Sequence, residues 1–202
     1  MNAHTELLVA TNNAGKVREL SELLSDFPLR LRLLNEFPDV DEAEETGETF
    51  AENATLKALH YSARTGLLTL SDDSGLSVDA LGGAPGVYSA RYAGREATYA
   101  ERMSKLLGEL DATGDTERRA RFVCVIAVAA PSSGTLHTFE GTCEGRLARA
   151  PRGTGGFGYD PLFIPDGHAQ TFGELPAEIK HSLSHRALAL RKAVRHLRGH
   201  FT

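Results

Sequence analysis

Short apolar runs alternate with stretches of helical periodicity in the first third of the chain. Leu7–Ala10 is continuously apolar and predicts a buried strand, and the apolar residues of Val17–Phe27 then recur at helical spacing. Leu29–Leu33 alternates leucine with arginine, which is typical of a half-exposed strand. Thr49–Glu52 is a capping-box pattern and predicts a helix that runs to about Arg64.

The middle of the chain continues this alternation. Leu67–Leu70 predicts a second buried strand, which ends directly in the polar run Ser71-Asp72-Asp73-Ser74-Gly75. A second capping box at Thr98–Glu101 predicts another amphipathic helix. Arg121–Ala130 is long and apolar and predicts a further strand.

The last third of the chain predicts more strands and a closing helix. Leu136–Glu140 and Glu144–Ala148 have strand character and are interpreted as two strands separated by a turn. The run Gly153–Pro161 is a loop by composition, and a final helix over Ser184–Arg198 is expected to end at Gly199. An α/β fold on a mixed sheet accounts for these elements, because a βα unit favours parallel pairing and a run of strands favours antiparallel pairing.

Composition and charge narrow the class of protein. The 202 residues are 41% hydrophobic, enough for one well-packed core, so residues 1–202 are expected to form a single domain. A net charge of −5 disfavours a general nucleic-acid binder. Cys124 lies in an apolar run and is interpreted as a small buried hydrophobe. Two cysteines, no membrane-length apolar stretch and no signal-peptide pattern predict a cytoplasmic protein without membrane contact.

The loop after the first strand has the composition of an anion site. It reads Thr11-Asn12-Asn13-Ala14-Gly15-Lys16 and leads into the first helix. Backbone N–H groups at a helix N-terminus, hydroxyl and amide side chains and a lysine all suit phosphate oxygens. The alternative is that Asn12 or Asn13 caps the helix while Lys16 is solvated, and the loop alone leaves this open.

Carboxylates and a lysine suggest metal and phosphate chemistry. Residues 39–48 form an acidic loop, from which one or two carboxylates could bind Mg²⁺, although a solvated loop is the common explanation and the run alone does not decide. Asn53 and Lys57 share one face of the second helix, where the lysine either extends to water or reaches a phosphate. Asp72 and Asp73 follow a buried strand and should point to opposite faces, so one could hold metal or deprotonate water while the other orients. A turn with an aspartate cap is the alternative for this pair.

Two further segments suggest recognition of a nucleotide base. Glycines in Gly153–Asp160 would let the backbone approach a ligand, and an aromatic ring there could stack on a base, but a structural turn explains the same residues. In Lys180-His181-Ser182-Leu183-Ser184-His185-Arg186, Ser184 is placed to cap a helix. His185 and Arg186 would then lie in its first turn, where cations oppose the helix dipole. A guanidinium there could donate to the O6/N7 edge of a purine, or the basic residues could form a surface pair.

Together these segments resemble the inosine-triphosphate pyrophosphatase family, also called the non-canonical purine NTP pyrophosphatases. The resemblance covers nearly the whole chain, and the segments occur in the family's order. They are Thr11–Lys16, Glu44–Gly47, Phe50–Ala54, Ser71–Leu76, Gly82–Tyr92, Gly155–Pro161 and Ser184–Arg186.

The resemblance implies an elongated α/β fold with two lobes around a long mixed sheet, a site in the cleft between them, and a homodimer. It implies hydrolysis of ITP, dITP or XTP to the monophosphate and pyrophosphate with Mg²⁺. Asp73, with Asp72 beside it, would be catalytic, and Asp73 with Glu44 or Glu45 would bind the metal. The residues implied to contact the substrate are Thr11, Asn12, Asn13, Ala14, Gly15, Lys16, Lys57, Ser74, Phe157, Gly158, Tyr159, Asp160, Lys180, His185 and Arg186.

Three other functions remain open at this point. A sister enzyme of similar fold could hydrolyse modified pyrimidine triphosphates. A nucleotide-binding regulator without turnover is disfavoured by the paired carboxylates Asp72 and Asp73, because binding alone would favour fewer negative charges near phosphates. A nucleic-acid module is disfavoured by the net charge and by the lack of a basic stripe.

Overall fold

A computed structural model describes residues 6–131 and 136–198. The chain divides into two compact units. The first comprises the chain up to Asp73, residues 124–140 and the chain from Ala189 onward, and the second comprises Ser74–Val123 and Gly141–Leu188. Several strands and the last helix contribute residues to both units, and the single domain expected from the sequence stays a prediction.

A six-stranded mixed sheet runs through the fold in the order β2-β1-β3-β4-β5-β6. β1 pairs in parallel with both β2 and β3, whereas β5 and β6 are antiparallel, so the predicted mixed α/β class is confirmed. The strands are β1 Glu6–Ala10, β2 Arg30–Leu33, β3 Leu68–Val78, β4 Arg119–Ala129, β5 Leu136–Leu147 and β6 Phe163–Pro165.

The helices begin and end at residues with clear local causes. Thr49 and Thr98 each accept from the third residue of the following helix, so both predicted capping boxes are confirmed. Gly66 ends one of these helices with a φ of 69°, a left-handed conformation that glycine adopts without a steric penalty. The helices are α1 Ala14–Leu23, α2 Phe50–Thr65, α3 Tyr99–Thr113, α4 Ala177–Leu183 and α5 His185–Arg198, with short 3-10 turns at Leu34–Glu36, Asp79–Leu81 and Gly86–Arg91.

The predicted end of the third strand was wrong. β3 continues through the polar run to Val78, so Asp72 and Asp73 lie inside a strand and do not follow one. The strand continues because Leu76 and Val78 resume the alternate burial and pack fully into the core of the second unit. β1, by contrast, ends at Ala10 opposite Ser71, so the loop that follows β1 begins beside the two aspartates.

The predicted turn in β5 was also wrong. One strand covers Leu136–Leu147, and Gly141, which lies within the predicted turn, is a buried strand residue. Gly145 serves close packing, because a Cβ there would lie 2.3 Å from the carbonyl oxygen of Ile164 on β6. A glycine inside a strand therefore marks a close approach here and not a chain reversal.

The predicted last helix begins where expected, but a short helix precedes it. Ser184 separates α4 from α5, and its Oγ accepts from the backbone N–H of Ala187 at 3.3 Å, which confirms the predicted cap. Gly199, expected to end α5, lies outside the described residues.

Each unit has its own apolar core. The core of the first unit includes Leu7, Val9, Leu20 and Leu70, and that of the second includes Leu76, Leu106, Phe122, Phe163 and Phe172. Over residues 6–131 and 136–198, no helix is both long and apolar enough to cross a membrane.

Candidate active site

The loop between β1 and α1 caps the helix that follows it, and the lysine at its end contacts a carboxylate on a strand. Asn13 Oδ1 accepts from the backbone N–H groups of Gly15 and Lys16 at 3.0 and 3.1 Å, so Asn13 is the helix cap. The Oγ of Thr11 in turn accepts from the Asn13 N–H at 3.2 Å. Lys16 is not solvated: its Nζ lies 2.5 Å from Asp72 Oδ1. The predicted cap is therefore present, but Lys16, expected to be solvated beside such a cap, is instead ion-paired and only partly exposed.

The adjacent aspartates of β3 have different partners, as strand alternation requires. Asp72 is 0% exposed; its Oδ1 lies beside Lys16, and its Oδ2 accepts from the thiol of Cys124 at 3.2 Å. Asp73 is 7% exposed, and its Oδ1 accepts from Lys57 Nζ at 3.1 Å. We call Lys16, Lys57, Asp72, Asp73 and Glu45 the lysine–carboxylate cluster.

The acidic loop joins this cluster through Glu45. Its Oε1 lies 2.7 Å from Lys57 Nζ, so Lys57 bridges two carboxylates. Asn53 of α2 fixes the loop, because its side chain accepts from the Gly47 N–H at 2.8 Å and donates to the Gly47 carbonyl at 3.3 Å. Glu44 is exposed and makes no hydrogen bond or ion pair with any residue that the structure describes. Of the two candidate metal ligands of the loop, Glu45 is the one that contacts the cluster.

Asp73 has the surroundings of a proton acceptor. Burial raises the pKa of this carboxyl above its ordinary value, while the charges of Lys57 and Lys16 partly oppose the rise. Burial alone would lower the pKa of Lys57, but Asp73 and Glu45 raise it, so the lysine stays charged. Asp73 Oδ2 is buried and has no hydrogen-bond partner among the described residues, which leaves it open to a water or a cation.

The cluster does not form a complete metal cage. Within residues 6–131 and 136–198, no group of three or more His, Cys, Asp or Glu side chains is arranged to hold a metal ion. A cation here would need ligands from water or substrate as well. Mg²⁺ is usually bound in this way, through one or two carboxylates together with phosphate oxygens.

The glycine-rich loop of the second unit is built around Asp160. The Oδ2 of Asp160 accepts from the Phe157 N–H at 2.7 Å and lies 2.5 Å from Lys180 Nζ. Gly156 must be glycine, because its φ is 69° and a Cβ would lie 2.0 Å from Asp160 Oδ2. The loop composition is thus explained by a tight turn closed on a buried carboxylate.

Two cations lie against the ring of Phe157. Lys180 Nζ is 4.9 Å from the ring centroid and the Arg186 guanidinium carbon is 5.4 Å from it, both within cation–π range. Arg186 is only 2% exposed, and it donates to Ser74 Oγ at 2.9 Å. We call Phe157, Asp160, Lys180, His185 and Arg186 the aromatic–cation cluster.

The remaining predicted base-site residues differ in their surroundings. His185 stacks on Phe122, with ring centroids 4.7 Å apart and an angle of 11° between the planes. Tyr159 belongs to the core of the second unit, and its hydroxyl donates to the Ser89 carbonyl at 2.9 Å. Gly158, at a φ of 68°, continues the turn.

Comparison with known proteins identifies the family. The sequence profile of the Ham1 family matches residues 7–196. The chain belongs to the Ham1 family. The resemblance inferred from the ordered motifs is therefore confirmed.

Several Ham1-family relatives are similar over nearly their full length. A protein from Desulforamulus reducens named dITP/XTP pyrophosphatase is 53% identical over 189 residues, which are 94% of each chain. The solved structure of a HAM1 protein from Coxiella burnetii matches with a TM-score of 0.88 at 44% identity, covering 96% of this chain and 99% of the other. The Staphylococcus aureus Ham1 protein matches with a TM-score of 0.86 at 38% identity, covering 97% and 100%.

Sequence reasoning missed several side chains that contact predicted site residues. Phe122 carries the ring on which His185 stacks, and Cys124 donates to Asp72. Both lie on β4 and were interpreted only as parts of an apolar strand. Neither contact has a local sequence signal, because each partner is more than 50 residues away along the chain.

Proposed function

We propose that this chain is a nucleoside-triphosphate pyrophosphatase that hydrolyses non-canonical purine nucleotides, namely ITP, dITP and XTP, to the monophosphate and pyrophosphate. Such an enzyme cleanses the nucleotide pool. Ham1-family relatives that share about half of their residues with this chain bear the name dITP/XTP pyrophosphatase, which supports the proposal. The structural observation that carries it is Asp73, a buried carboxylate with one open oxygen beside two lysines.

The proposed reaction uses Asp73 as the general base. Oδ2 accepts a proton from a water molecule, whose oxygen attacks the α-phosphorus while the bond to the bridging oxygen breaks and pyrophosphate leaves. A raised pKa brings a carboxyl closer to the operating pH, which makes it a better base. Asp72 acts beside it by holding Lys16.

The proposed triphosphate ligands are Thr11, Asn13, Lys16 and Lys57. Phosphoryl transfer depends mainly on positioning and on neutralising charge, and two ammonium groups with a hydroxyl and an amide supply both. Asn12, Ala14 and Gly15 complete the loop that positions Asn13 and Lys16. The side chains of Thr11 and Asn13 are already held by the hydrogen bonds of the helix cap, so they would lose little conformational entropy when phosphate binds.

Mg²⁺ fits the donor set of the cluster. The carboxylate of the buried Asp73 is a hard oxygen donor, and Glu45 is ion-paired with the same lysine, Lys57. Glu44 is a weaker candidate because it has no such contact with the cluster. Asp73 and Glu45 would hold the ion together with phosphate oxygens. When bound, Mg²⁺ supplies positive charge to the phosphates and to the leaving pyrophosphate.

The aromatic–cation cluster is the proposed base site. Phe157 offers a ring that can stack on a base, and Arg186 has only donors, which suit the 6-oxo group of inosine and xanthosine. The 6-amino group of adenosine is itself a donor, so it could not accept a hydrogen bond from Arg186. Lys180 and His185 would assist, Ser74 would contact the substrate through its hydroxyl, and the turn of Gly158, Tyr159 and Asp160 would hold Phe157 in place.

Two wider features belong to the same proposal. The enzyme would act as a homodimer, which light scattering on the purified chain would test. It would work in the cytoplasm, where both thiols stay reduced; Cys124 and Cys143 are not joined by a disulfide.

A substrate panel tests the proposed function. The purified protein is incubated with ITP, XTP, GTP, ATP and modified pyrimidine triphosphates, with and without Mg²⁺, and the products are identified. Rapid, Mg²⁺-dependent release of monophosphate and pyrophosphate from ITP and XTP is expected. Preference for a modified pyrimidine would reassign the substrate, and binding without turnover would remove the catalytic role of Asp73.

A further inference from the structure

A buried thiol contacts one of the two strand carboxylates. Cys124 on β4 has no exposed surface, and its Sγ donates to Asp72 Oδ2 at 3.2 Å. β4 is the neighbour of β3 in the sheet, which brings the two side chains together. A thiol is a weak donor, but an ionised carboxylate strengthens any hydrogen bond that it accepts.

The other oxygen of the same carboxylate holds Lys16. Asp72 Oδ1 lies 2.5 Å from Lys16 Nζ, and the carboxylate is fully buried. The last torsion of an aspartate side chain has a broad energy profile, so the plane of the carboxylate is set by its hydrogen-bond partners. A donor on Oδ2 therefore helps to decide where Oδ1 points and where the ammonium group of Lys16 sits.

We propose that Cys124 is a positioning residue for triphosphate binding. Its S–H group orients Asp72, and Asp72 in turn holds Lys16 where the substrate's phosphates bind. The inference rests on the proposed function for the role of Lys16, but the thiol–carboxylate contact itself does not depend on activity. Cys124 acts through two other residues and does not touch the substrate.

The second cysteine is a matched control within the same chain. Cys143 is also buried, but its Sγ donates to the Glu144 carbonyl at 3.9 Å, a longer contact to a neutral group. Burial raises the pKa of Cys143 to about 12, so its thiol stays protonated at neutral pH. The two thiols share burial and differ in their hydrogen-bond acceptor.

Kinetics of three variants test the functional half of the proposal. Cys124→Ala removes the donor and should raise KM for ITP about three- to tenfold with kcat nearly unchanged, as expected for one hydrogen bond. Cys124→Ser keeps a donor, so its KM for ITP should be close to that of the wild type. Cys143→Ala should also have the KM of the wild type. An unchanged KM in Cys124→Ala, or an equal loss in Cys124→Ser at matched thermal stability, would overturn the proposal.

Infrared spectroscopy of the S–H stretch tests the contact without any activity. The Cys143→Ala protein has one thiol, Cys124, and its band should lie at lower frequency than the Cys143 band of Cys124→Ser, because donation weakens the S–H bond. Asp72→Asn should shift the Cys124 band upward, since a neutral amide accepts a weaker hydrogen bond. A Cys124 band at or above that of Cys143 would overturn the proposal even where Cys124→Ala does not fold. Absence of ITP hydrolysis in the wild type would instead refute the proposed function.

Discussion

Lys16 and Lys57 in the first unit and Lys180 and Arg186 in the second are cations with little exposed surface, but their neighbours differ. Each lysine of the lysine–carboxylate cluster has a carboxylate within 3.1 Å, and Lys57 has two. In the aromatic–cation cluster, Lys180 is also paired with a carboxylate, that of Asp160, but both cations lie against the ring of Phe157. Both clusters therefore contain paired charges, and only the second of these two clusters adds an aromatic face.

This difference suits two kinds of ligand group. Paired charges with an open carboxylate oxygen can accommodate phosphates when a divalent cation arrives with them. A ring flanked by donors suits a planar base that is identified by its edge. Changes in the first cluster should therefore affect all triphosphates alike, and changes in the second should alter the choice between bases.

The largest effect is expected from Asp73→Asn. Loss of a positioned base should lower kcat by about two to four orders of magnitude on every nucleotide. Steady-state hydrolysis of ITP measures it, and Asp39→Asn, at an exposed residue of the acidic loop, is the control. Near-normal turnover by a folded Asp73→Asn protein would remove Asp73 from the mechanism.

Lys16→Ala should reduce kcat/KM for ITP and GTP by the same factor, about ten- to a hundredfold, because a charge-assisted contact to phosphate carries no information about the base. Arg18→Ala, at an exposed position on the same helix, should have little effect. A changed ratio of ITP to GTP in Lys16→Ala would contradict the division of roles between the clusters.

Arg186→Ala should lower kcat/KM for ITP about tenfold more than for ATP, and so reduce the preference for ITP over ATP. The reason is that a site with hydrogen-bond donors strongly rejects an analogue that leaves those donors unpaired. Because Arg186 is buried, Arg186→Lys serves as a second variant. It keeps the positive charge but loses the planar arrangement of N–H donors of the guanidinium group. Thermal unfolding separates loss of folding from loss of recognition. Equal losses on ITP and ATP would mean that Arg186 does not read the base.

The smallest effect is expected from a pair of glycine variants. Gly156→Ala and Gly66→Ala both place a side chain at a φ of 69°, which costs about 1–2 kcal/mol. Only Gly156→Ala also displaces Asp160, so it should destabilise more and weaken ITP binding, while Gly66→Ala keeps full activity. Urea unfolding and KM for ITP measure both. Equal stability and equal KM in the two variants would show that the Asp160 turn does not support the base site.

Local signals predicted much of the fold. Thr49, Thr98 and Ser184 cap helices because capping depends on residues only a few positions apart. The extent of β3 and the continuity of β5 were missed, because they depend on packing against distant residues, such as Ile164 beside Gly145.

In the candidate site, too, local signals were readable from the sequence and non-local contacts were not. Residue type and order selected Lys16, Asp72 and Asp73, but the pairing of Lys57 with Glu45 and of Asp72 with Cys124 is non-local. A sequence pattern could not separate Glu44 from Glu45, because adjacent acidic residues in a loop have no periodicity. The two hydrogen bonds between Asn53 and Gly47 set that loop, and they were not predictable from spacing.

Hydrolysis of ITP in ¹⁸O-labelled water tests the central claim most directly. Monophosphate and pyrophosphate could arise by attack at either the α- or the β-phosphorus, and mass spectrometry of the products shows which atom received the water oxygen. The account predicts one ¹⁸O atom in IMP, none in pyrophosphate, and loss of the reaction in Asp73→Asn. Label in pyrophosphate, or release of IDP and orthophosphate, would contradict it.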